Sequence, residues 1–282
     1  MINSLCLTFA LFFFATQKSD VPASRLSLHH TGGPGAYDKA GGYDKKDKPS
    51  PRNRPYAASI INATSDPKLT SFLESVSKQN LESLHISHTT LTVEQARKIE
   101  NISTPKLTIS NCVMNEDVAK SLGSIVCQSL TLEQVEMSAP AFLAFMKGKA
   151  NLSELVVSNC RFMTESSLGA LRTLPLIKLS LAGCPVDDQC FRALSELSKL
   201  QELKLTGTQV TDEGVRSFVV SPNLSMINVA GTKVTQVWGL EITRQYQDND
   251  NRKMPLYVFF ADDSRWPPRG GYCLRGEFHL YK

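Results

Sequence analysis

Residues 200–211 read LQELKLTGTQVT, and residues 224–235 read LSMINVAGTKVT. Both stretches have an aliphatic residue at positions one, four, six and eleven and a Thr at positions nine and twelve. They begin 24 residues apart, which identifies them as two copies of one structural unit. A unit of this length cannot bury its apolar face alone, so we expect neighbouring copies to stack on one another.

Five more copies precede these two and align with them without gaps. The intervals between successive fourth positions are 23, 23, 25, 24, 24 and 24 residues. The chain is therefore predicted to be an array of one repeating unit. The fourth positions are Leu84, Leu107, Leu130, Leu155, Leu179, Leu203 and Ile227.

Each copy contains the signals of one strand and one short helix. The fourth and sixth positions are aliphatic and alternate with polar residues, which predicts a strand with one buried face. Thr, Asn, Ser or Asp then stands at most twelfth positions as a helix N-cap, and Thr92 to Gln95 form a capping box. Apolar pairs three residues apart, such as Phe142 and Phe145, predict the buried face of the helix.

The pattern L-x-x-L-x-L-x-x-(T/C)-x-V-T-D-x-G resembles a leucine-rich repeat. It resembles the short 24-residue repeats of many bacterial proteins, and it is similar to the cysteine-containing repeats of F-box-type proteins, although no F-box helices are recognisable upstream. The resemblance implies an α/β fold, a right-handed solenoid whose curved parallel sheet carries short helices on its convex side. It also implies a non-catalytic scaffold that binds a protein or a polymer.

The boundaries of the array follow from where the period begins and fails. We predict a signal peptide over 1–23, a disordered basic Gly-, Pro- and Lys-rich segment over 24–55, a capped solenoid over 56–262 and a tail over 263–282. In the divergent first unit, Ile60 lies 24 residues before Leu84, and Phe72 falls at a helix-core position. Residues 255–260, PLYVFF, are predicted to be a final strand that covers the open end.

The N-terminus bears on the compartment in which the protein acts. Leu5 to Thr16 form an apolar run of signal-peptide length, too short to span a membrane, although no Lys or Arg precedes it. Cleavage after Ala23 satisfies the small-residue rule. This predicts a secreted or cell-envelope protein, and the alternative is a cytoplasmic adaptor or regulator of the F-box-related kind whose apolar N-terminus is a folding element.

The net charge of +4 is concentrated near the N-terminus. Residues 18–55 hold eight Lys or Arg against four Asp, so the rest of the chain has 31 − 8 = 23 basic and 27 − 4 = 23 acidic residues. A neutral body argues against nucleic acid as the main partner. The basic segment itself could contact an anionic polymer or membrane headgroups.

The sequence contains no catalytic, cofactor or metal signature. It lacks a phosphate-binding P-loop, a G-x-S-x-G or H-E-x-x-H motif and a zinc-type cysteine spacing, so we predict no enzyme and no cofactor. Cys112, Cys160 and Cys184 share the ninth position with Thr and Val, which predicts small buried residues with free thiols rather than disulfides.

Two acidic residues at helix starts, Asp188 and Asp212, fall at the same position of adjacent units. They could form an acidic rim that binds a cation. The favoured interpretation is that they complement the helix dipoles.

The strand positions that alternate away from the core define a predicted concave binding face. Most of its side chains are small and hydroxylated and include no Trp, Tyr or Arg anchor, which favours a weak or extended contact. The ligand predicted for it is a protein or a polymer. The predicted binding residues are His85, Ser87, Thr108, Thr131, Glu133, Ser180, Lys204, Thr206 and Asn228.

Overall fold

The computed structural model describes residues 23–31, 55–192, 194, 197–218, 223–247, 256–260 and 272–273. Eleven strands form one sheet and follow each other in chain order. The strands are β1 Arg25–His30, β2 Tyr56–Ile61, β3 Leu81–Ser87, β4 Lys106–Ser110, β5 Ser129–Glu133, β6 Glu154–Ser158, β7 Lys178–Ser180, β8 Glu202–Lys204, β9 Met226–Asn228, β10 Tyr257–Phe259 and β11 Tyr272–Cys273.

Helices connect successive strands and pack against their neighbours on one side of the sheet. The described helices are α1 Leu69–Val76, α2 Val93–Arg97, α3 Glu116–Gly123, α4 Ala139–Met146, α5 Glu165–Gly169, α6 Asp188–Arg192, α7 Asp212–Phe218 and α8 Gln236–Gln247. Strands β2 to β10 are all parallel. The predicted α/β solenoid of strand–helix units is confirmed.

Stacking in register builds a continuous core. The fourth positions pair across neighbouring strands, as in Leu107 with Leu130 and Leu179 with Leu203, and all seven fourth-position side chains are buried. The predicted caps also form: Thr92 and Gln95 make a capping box, and Asn115 accepts from the Val118 amide at 2.9 Å. Each unit thus gains its buried area from its neighbours.

A left-handed residue ends every strand of the array. The eighth position has a positive φ in each unit. From His88 to Gly207 its amide donates to a carbonyl of the next unit, as from Asn111 to Glu133 at 2.8 Å. Asn and Gly tolerate this conformation best. The backbone conformation therefore explains why Asn and Gly recur at the eighth position, for which the hydrophobic pattern predicted no role. These residues are His88, Asn111, Gln134, Asn159, Gly183, Gly207 and Gly231.

The N-terminal cap differs from the prediction of disorder over 24–55. Arg25–His30 form β1, which pairs antiparallel with β2. Leu26 and Leu28 alternate onto the core and are partly buried there. The composition of the whole segment, rich in Gly and Lys, concealed this short alternating stretch at its start.

The first unit is offset by two residues from its predicted alignment. Ala58 pairs with Leu84, and Ile60 pairs with Ile86. A shift of two leaves Ile60 on the buried face, so hydrophobic alternation cannot detect it. Phe72 is only partly buried; Leu69, Leu73 and Val76 form the buried side of α1.

The C-terminal cap contains the predicted strand within 255–260, but this strand is not the last one of the sheet, because β11 of the predicted tail pairs beyond it. Tyr257–Phe259 pair in parallel with β9, and Tyr272–Cys273 pair antiparallel with them. Trp238 of α8 is buried beneath this end. Apart from Ala23, the predicted signal peptide lies outside the described residues, as do 32–54 of the predicted disordered segment and 263–271 and 274–282 of the predicted tail.

Candidate binding face and its supporting contacts

The predicted binding residues lie on the side of the sheet opposite the helices, here called the open face. It consists of the strand side chains that alternate with the buried ones. Its central row pairs His85, Thr108 and Thr131 across β3 to β5. Lys204 and Glu133 are exposed, and His85, Thr108, Thr131 and Thr206 are half-buried.

Three of the predicted binding residues are buried. Ser87, Ser180 and Asn228 are 4%, 9% and 7% exposed, which leaves their side chains little room to reach a ligand. The Asn228 carboxamide oxygen accepts from the Ala230 amide at 2.9 Å and from the Thr206 hydroxyl at 3.5 Å. Asn228 therefore supports the turn after β9.

The open face also contains a charged row that lies outside the predicted binding residues. Glu154, Lys178 and Glu202 pair side by side at the starts of β6 to β8. Lys178 Nζ lies 2.9 Å from Glu202 Oε1, and this contact raises the pKa of Lys178. Extending the alternation by one step towards the strand start would have found this row.

His85 is the titratable group nearest the middle of the predicted site. Burial lowers its pKa, the neighbouring His88 acts in the same direction, and Glu133 opposes both. His85 is therefore mostly neutral at pH 7, when its ring presents one donor and one acceptor.

The ninth-position side chains close the turns from inside. Cys112 Sγ lies 3.1 Å from the Ser110 carbonyl oxygen, and the Thr208 hydroxyl donates to the Leu205 carbonyl at 2.8 Å. Cys and Thr are interchangeable here because each is small and donates to the same turn. The five cysteines whose side chains the structure describes, Cys112, Cys127, Cys160, Cys184 and Cys190, are buried and free, as predicted.

The carboxylates of Asp188 and Asp212 join adjacent repeats. Asp188 accepts from the Thr211 amide at 2.7 Å and from its hydroxyl at 2.6 Å, and Asp212 makes the same pair of contacts with Thr235, both at 2.6 Å. A Cβ at Gly214 would lie 2.2 Å from Asp188 Oδ1, so this position has no room for a side chain. The favoured interpretation, helix-dipole complementation, missed these contacts because they lie between units.

A buried cation lies behind the sheet, at a position that the repeat pattern does not mark. Lys149 is 1% exposed, and its Nζ donates to the carbonyls of Leu122, Gly123 and Ile125 at 3.1, 2.9 and 2.6 Å. Nζ also lies 4.6 Å from the centre of the Phe145 ring. Burial lowers the pKa of Lys149 to about 8.

Within the described part of the chain, no three His, Cys, Asp or Glu side chains are grouped so as to hold a metal ion. Nor does any described helix have the length and apolar character to cross a membrane.

The repeated unit identifies the class of protein. A family model described as "Leucine Rich repeat" matches residues 196–219, which include β8 and α7. The same strand, left-handed turn and helix recur in register from β3 to β9. The chain therefore has a leucine-rich repeat fold.

Solved structures with similar folds come from several proteins, whereas comparison with curated proteins gives no match. An internalin (inlF) of Listeria monocytogenes is 13% identical, with 68% of this chain and 64% of that one covered and a TM-score of 0.44. Internalin C2 of the same organism is 20% identical, with 64% and 73% covered and a TM-score of 0.45. The TLR13–ssRNA13 complex is 20% identical, with 59% and 23% covered and a TM-score of 0.41. The chain thus spans less than two thirds of the first internalin's length.

Proposed function

We propose that this protein is a non-catalytic scaffold that recognises a protein or polymer outside the cytoplasm through its open face. The observation that carries the proposal is the register of β2 to β10, which aligns the open-face side chains into continuous rows. Rows of this kind offer an extended surface whose side chains are not consumed by stacking.

The other surfaces of each unit are engaged in holding the array together. The helices pack on their neighbours, the left-handed turns bond to the next unit, and Asp188 and Asp212 bond to the next helix start. The exposed Lys204 and the half-buried Thr108 and Thr131 have no comparable structural task. These side chains are therefore the first to test for ligand contact.

The buried thiols support a non-catalytic role. Burial raises the pKa of Cys112 and Cys160, and it raises that of Cys184 to about 11. Since the thiolate is the nucleophile, these groups are poorly reactive at neutral pH.

The proposed location depends on the leader and is tested by the mature N-terminus. Cleavage after Ala23 would leave Ser24 as the first residue, directly before β1. The Ser24 hydroxyl donates to the Asp66 carboxylate at 3.1 Å. Intact-mass measurement of the protein from its native source should give a chain that begins at Ser24, recovered outside the cytoplasm. A full-length cytoplasmic chain with 1–23 intact would refute this location.

An intracellular adaptor or regulator related to the F-box-type repeat proteins is the second candidate. The five free thiols favour it, because reduced cysteines are typical of the cytoplasm. An uncleaved N-terminus together with a co-purifying ligase subunit would establish this alternative.

Recognition by the open face is tested by capture from the native source. A Thr108→Glu and Thr131→Glu double variant places two charges in the central row, and Lys120→Glu and Lys147→Glu, exposed on the helix side, provide the matched control. We expect the first variant to lose the bound partner and the control to keep it. Equal capture by both would show that the open face is not the binding surface.

A further inference from the structure

Among the described strands, β1 forms the N-terminal edge of the sheet. It pairs with β2 on one side, and no described strand lies on its other side. The Thr31 amide donates to the Pro55 carbonyl in the register of this pair, so the odd-numbered residues of β1 direct their backbone groups towards β2. The backbone amides and carbonyls of Leu26 and Leu28 therefore point towards the outer edge.

The apolar side of β1 is incompletely covered. Leu26 and Leu28 pack against the core but are only half-buried, as are Tyr56 and Phe72 of the same cap. At the opposite end of the array, Trp238 of the C-terminal cap is buried. The terminal units of a repeat array require a polar outer surface, and the N-terminal cap instead leaves leucine side chains partly open to water.

The sequence of β1 contains few features that protect an edge strand from pairing. Natural edge strands carry a proline, a bulge or a charge that points inward. Arg25–His30 contains no proline, and its pairing with β2 keeps an unbroken register. Arg25, its one residue of the types Lys, Arg, Asp and Glu, is exposed on the open face. The strand can therefore accept a further strand along its outer edge.

Two copies of β1 are self-complementary in one antiparallel register. When this register is centred on Ser27, Leu26 of each copy lies opposite Leu28 of the other. Four leucines then cover the apolar side together, and the backbone groups that point away from β2 pair with each other. A register shifted by two residues leaves one leucine of each copy without a leucine opposite it. A register shifted by one sets leucines opposite open-face residues.

We propose that two copies of this chain pair through β1 and form a two-fold symmetric dimer with one continuous sheet. A second copy is the occupant because it presents the alternation that the edge requires, with leucines on the core side and polar residues on the open face. The same edge is used on both copies, so this contact closes at two.

The dimer goes beyond the proposed function, because it determines the length of the open face. Cross-strand partners of a sheet share a face, so the open faces of both copies lie on the same side. The row that contains Ser27, Ser59 and His85 continues across the two-fold axis into the second copy. An extended ligand would therefore meet a surface about twice as long as that of one chain.

The central pair gives a test that is specific for this register. Ser27 would face Ser27 of the second copy as a non-hydrogen-bonded pair with Cα atoms about 4.5 Å apart, a separation that a disulfide spans. Ser27→Cys should therefore form a disulfide-linked dimer under mild oxidation, seen by non-reducing gel electrophoresis and reversed by dithiothreitol. Ser59→Cys, equally half-buried in the same row on β2, is the matched control. Its two copies would lie about 14 Å apart and should remain unlinked.

Light scattering after size-exclusion chromatography measures the dimer of the purified full-length chain. We expect wild type to be dimeric at about 100 μM. Ser27→Glu sets two carboxylates opposite each other and should weaken dimerisation by at least about tenfold, whereas Ser59→Glu should leave it unchanged. An equal mixture of Ser27→Glu and Ser27→Lys should restore the dimer, since opposite charges then meet. Thermal unfolding of each variant checks that the fold is intact.

Four results would overturn the proposal. A wild type that stays monomeric would show that a second copy does not occupy the edge, whether another part of the chain or a foreign peptide does. The other three are a dimer that Ser27→Glu does not weaken, a charge mixture that stays monomeric, and equal cross-linking of Ser27→Cys and Ser59→Cys. Capture of a native partner through Thr108 and Thr131 is measured separately, so the dimer can fail while the proposed function stands.

Discussion

Strands β3 to β6 are seven, five, five and five residues long, whereas β7 to β9 have three residues each. The turns differ as well. His, Asn and Gln are the left-handed residues after β3 to β6, and Gly takes this position after β7 to β9. The solenoid thus contains two versions of its unit. The units of β3 to β6 are here called the first version, and the units of β7 to β9 the second version.

The contacts between units differ in the same way. In the second version, Asp188 and Asp212 bond to Thr211 and Thr235 of the next unit. In the first version, longer strands supply more backbone pairing, and Lys149 bonds to three carbonyls of the preceding unit. The family model matches within the second version, where sequence-specific side chains make the contacts. Stacking therefore requires some means of joining units, but not one particular set of residues.

The largest expected effect comes from removing the buried cation of the first version. Lys149→Ala leaves three carbonyls without their donor and opens a cavity, so we expect the free energy of unfolding to fall by about 3 kcal/mol. Urea unfolding followed by circular dichroism measures it. Lys147→Ala, exposed two residues earlier, is the control and should change little. Equal stability of the two variants would show that Lys149 does not join the units.

The same lysine should make stability depend on pH. The pKa of Lys149 is about 8 in the fold and 10.5 ordinarily, so between these values the unfolded chain holds a proton that the folded chain has released. Stability therefore rises with pH across this window. Unfolding measured from pH 7 to 10.5 should show wild type gaining about 3 kcal/mol relative to Lys149→Ala. Parallel profiles would contradict the lowered pKa.

The next effect concerns the carboxylates of the second version. Asp188→Ala removes two charge-assisted hydrogen bonds to Thr211, and we expect a loss of about 2 kcal/mol in urea unfolding. Asp212→Ala should cost less, because its contacts with Thr235 are exposed. Glu213→Ala is the control, within about 0.5 kcal/mol of wild type. If Asp188→Ala behaves like this control, the inter-unit bond contributes nothing.

The smallest effects are expected from substitutions at the left-handed turn residues of the two versions. Gly207 has a φ of +69° and no atom closer than 3.8 Å to an added Cβ, so Gly207→Ala tests backbone strain alone and should cost about 1 kcal/mol. Gln134→Gly at φ +49° should gain about 0.5 kcal/mol. A lower melting temperature for Gly207→Ala and a higher one for Gln134→Gly would support a strain cost for side chains at this turn position. Shifts of the same sign would refute it.

The sequence predicted the parts of the fold that depend on local pattern. The fourth and sixth positions and the N-caps were placed from periodicity and residue type, because these signals repeat within each copy. The binding face was predicted only in outline. Ser87, Ser180 and Asn228 alternate outward as expected, yet neighbouring residues bury them, and pattern alone does not report that burial.

By itself, the sequence determined that this chain is a stacked array with apolar strands, capped helices and buried thiols, since each property follows from the spacing of residues within one unit. Only the tertiary structure decided what passes between units. It placed Arg25–His30 on the sheet, aligned Ala58 with Leu84, joined Asp188 to Thr211 and enclosed Lys149. These contacts link residues about a repeat or more apart, and their partners become neighbours only when the register of the sheet is set.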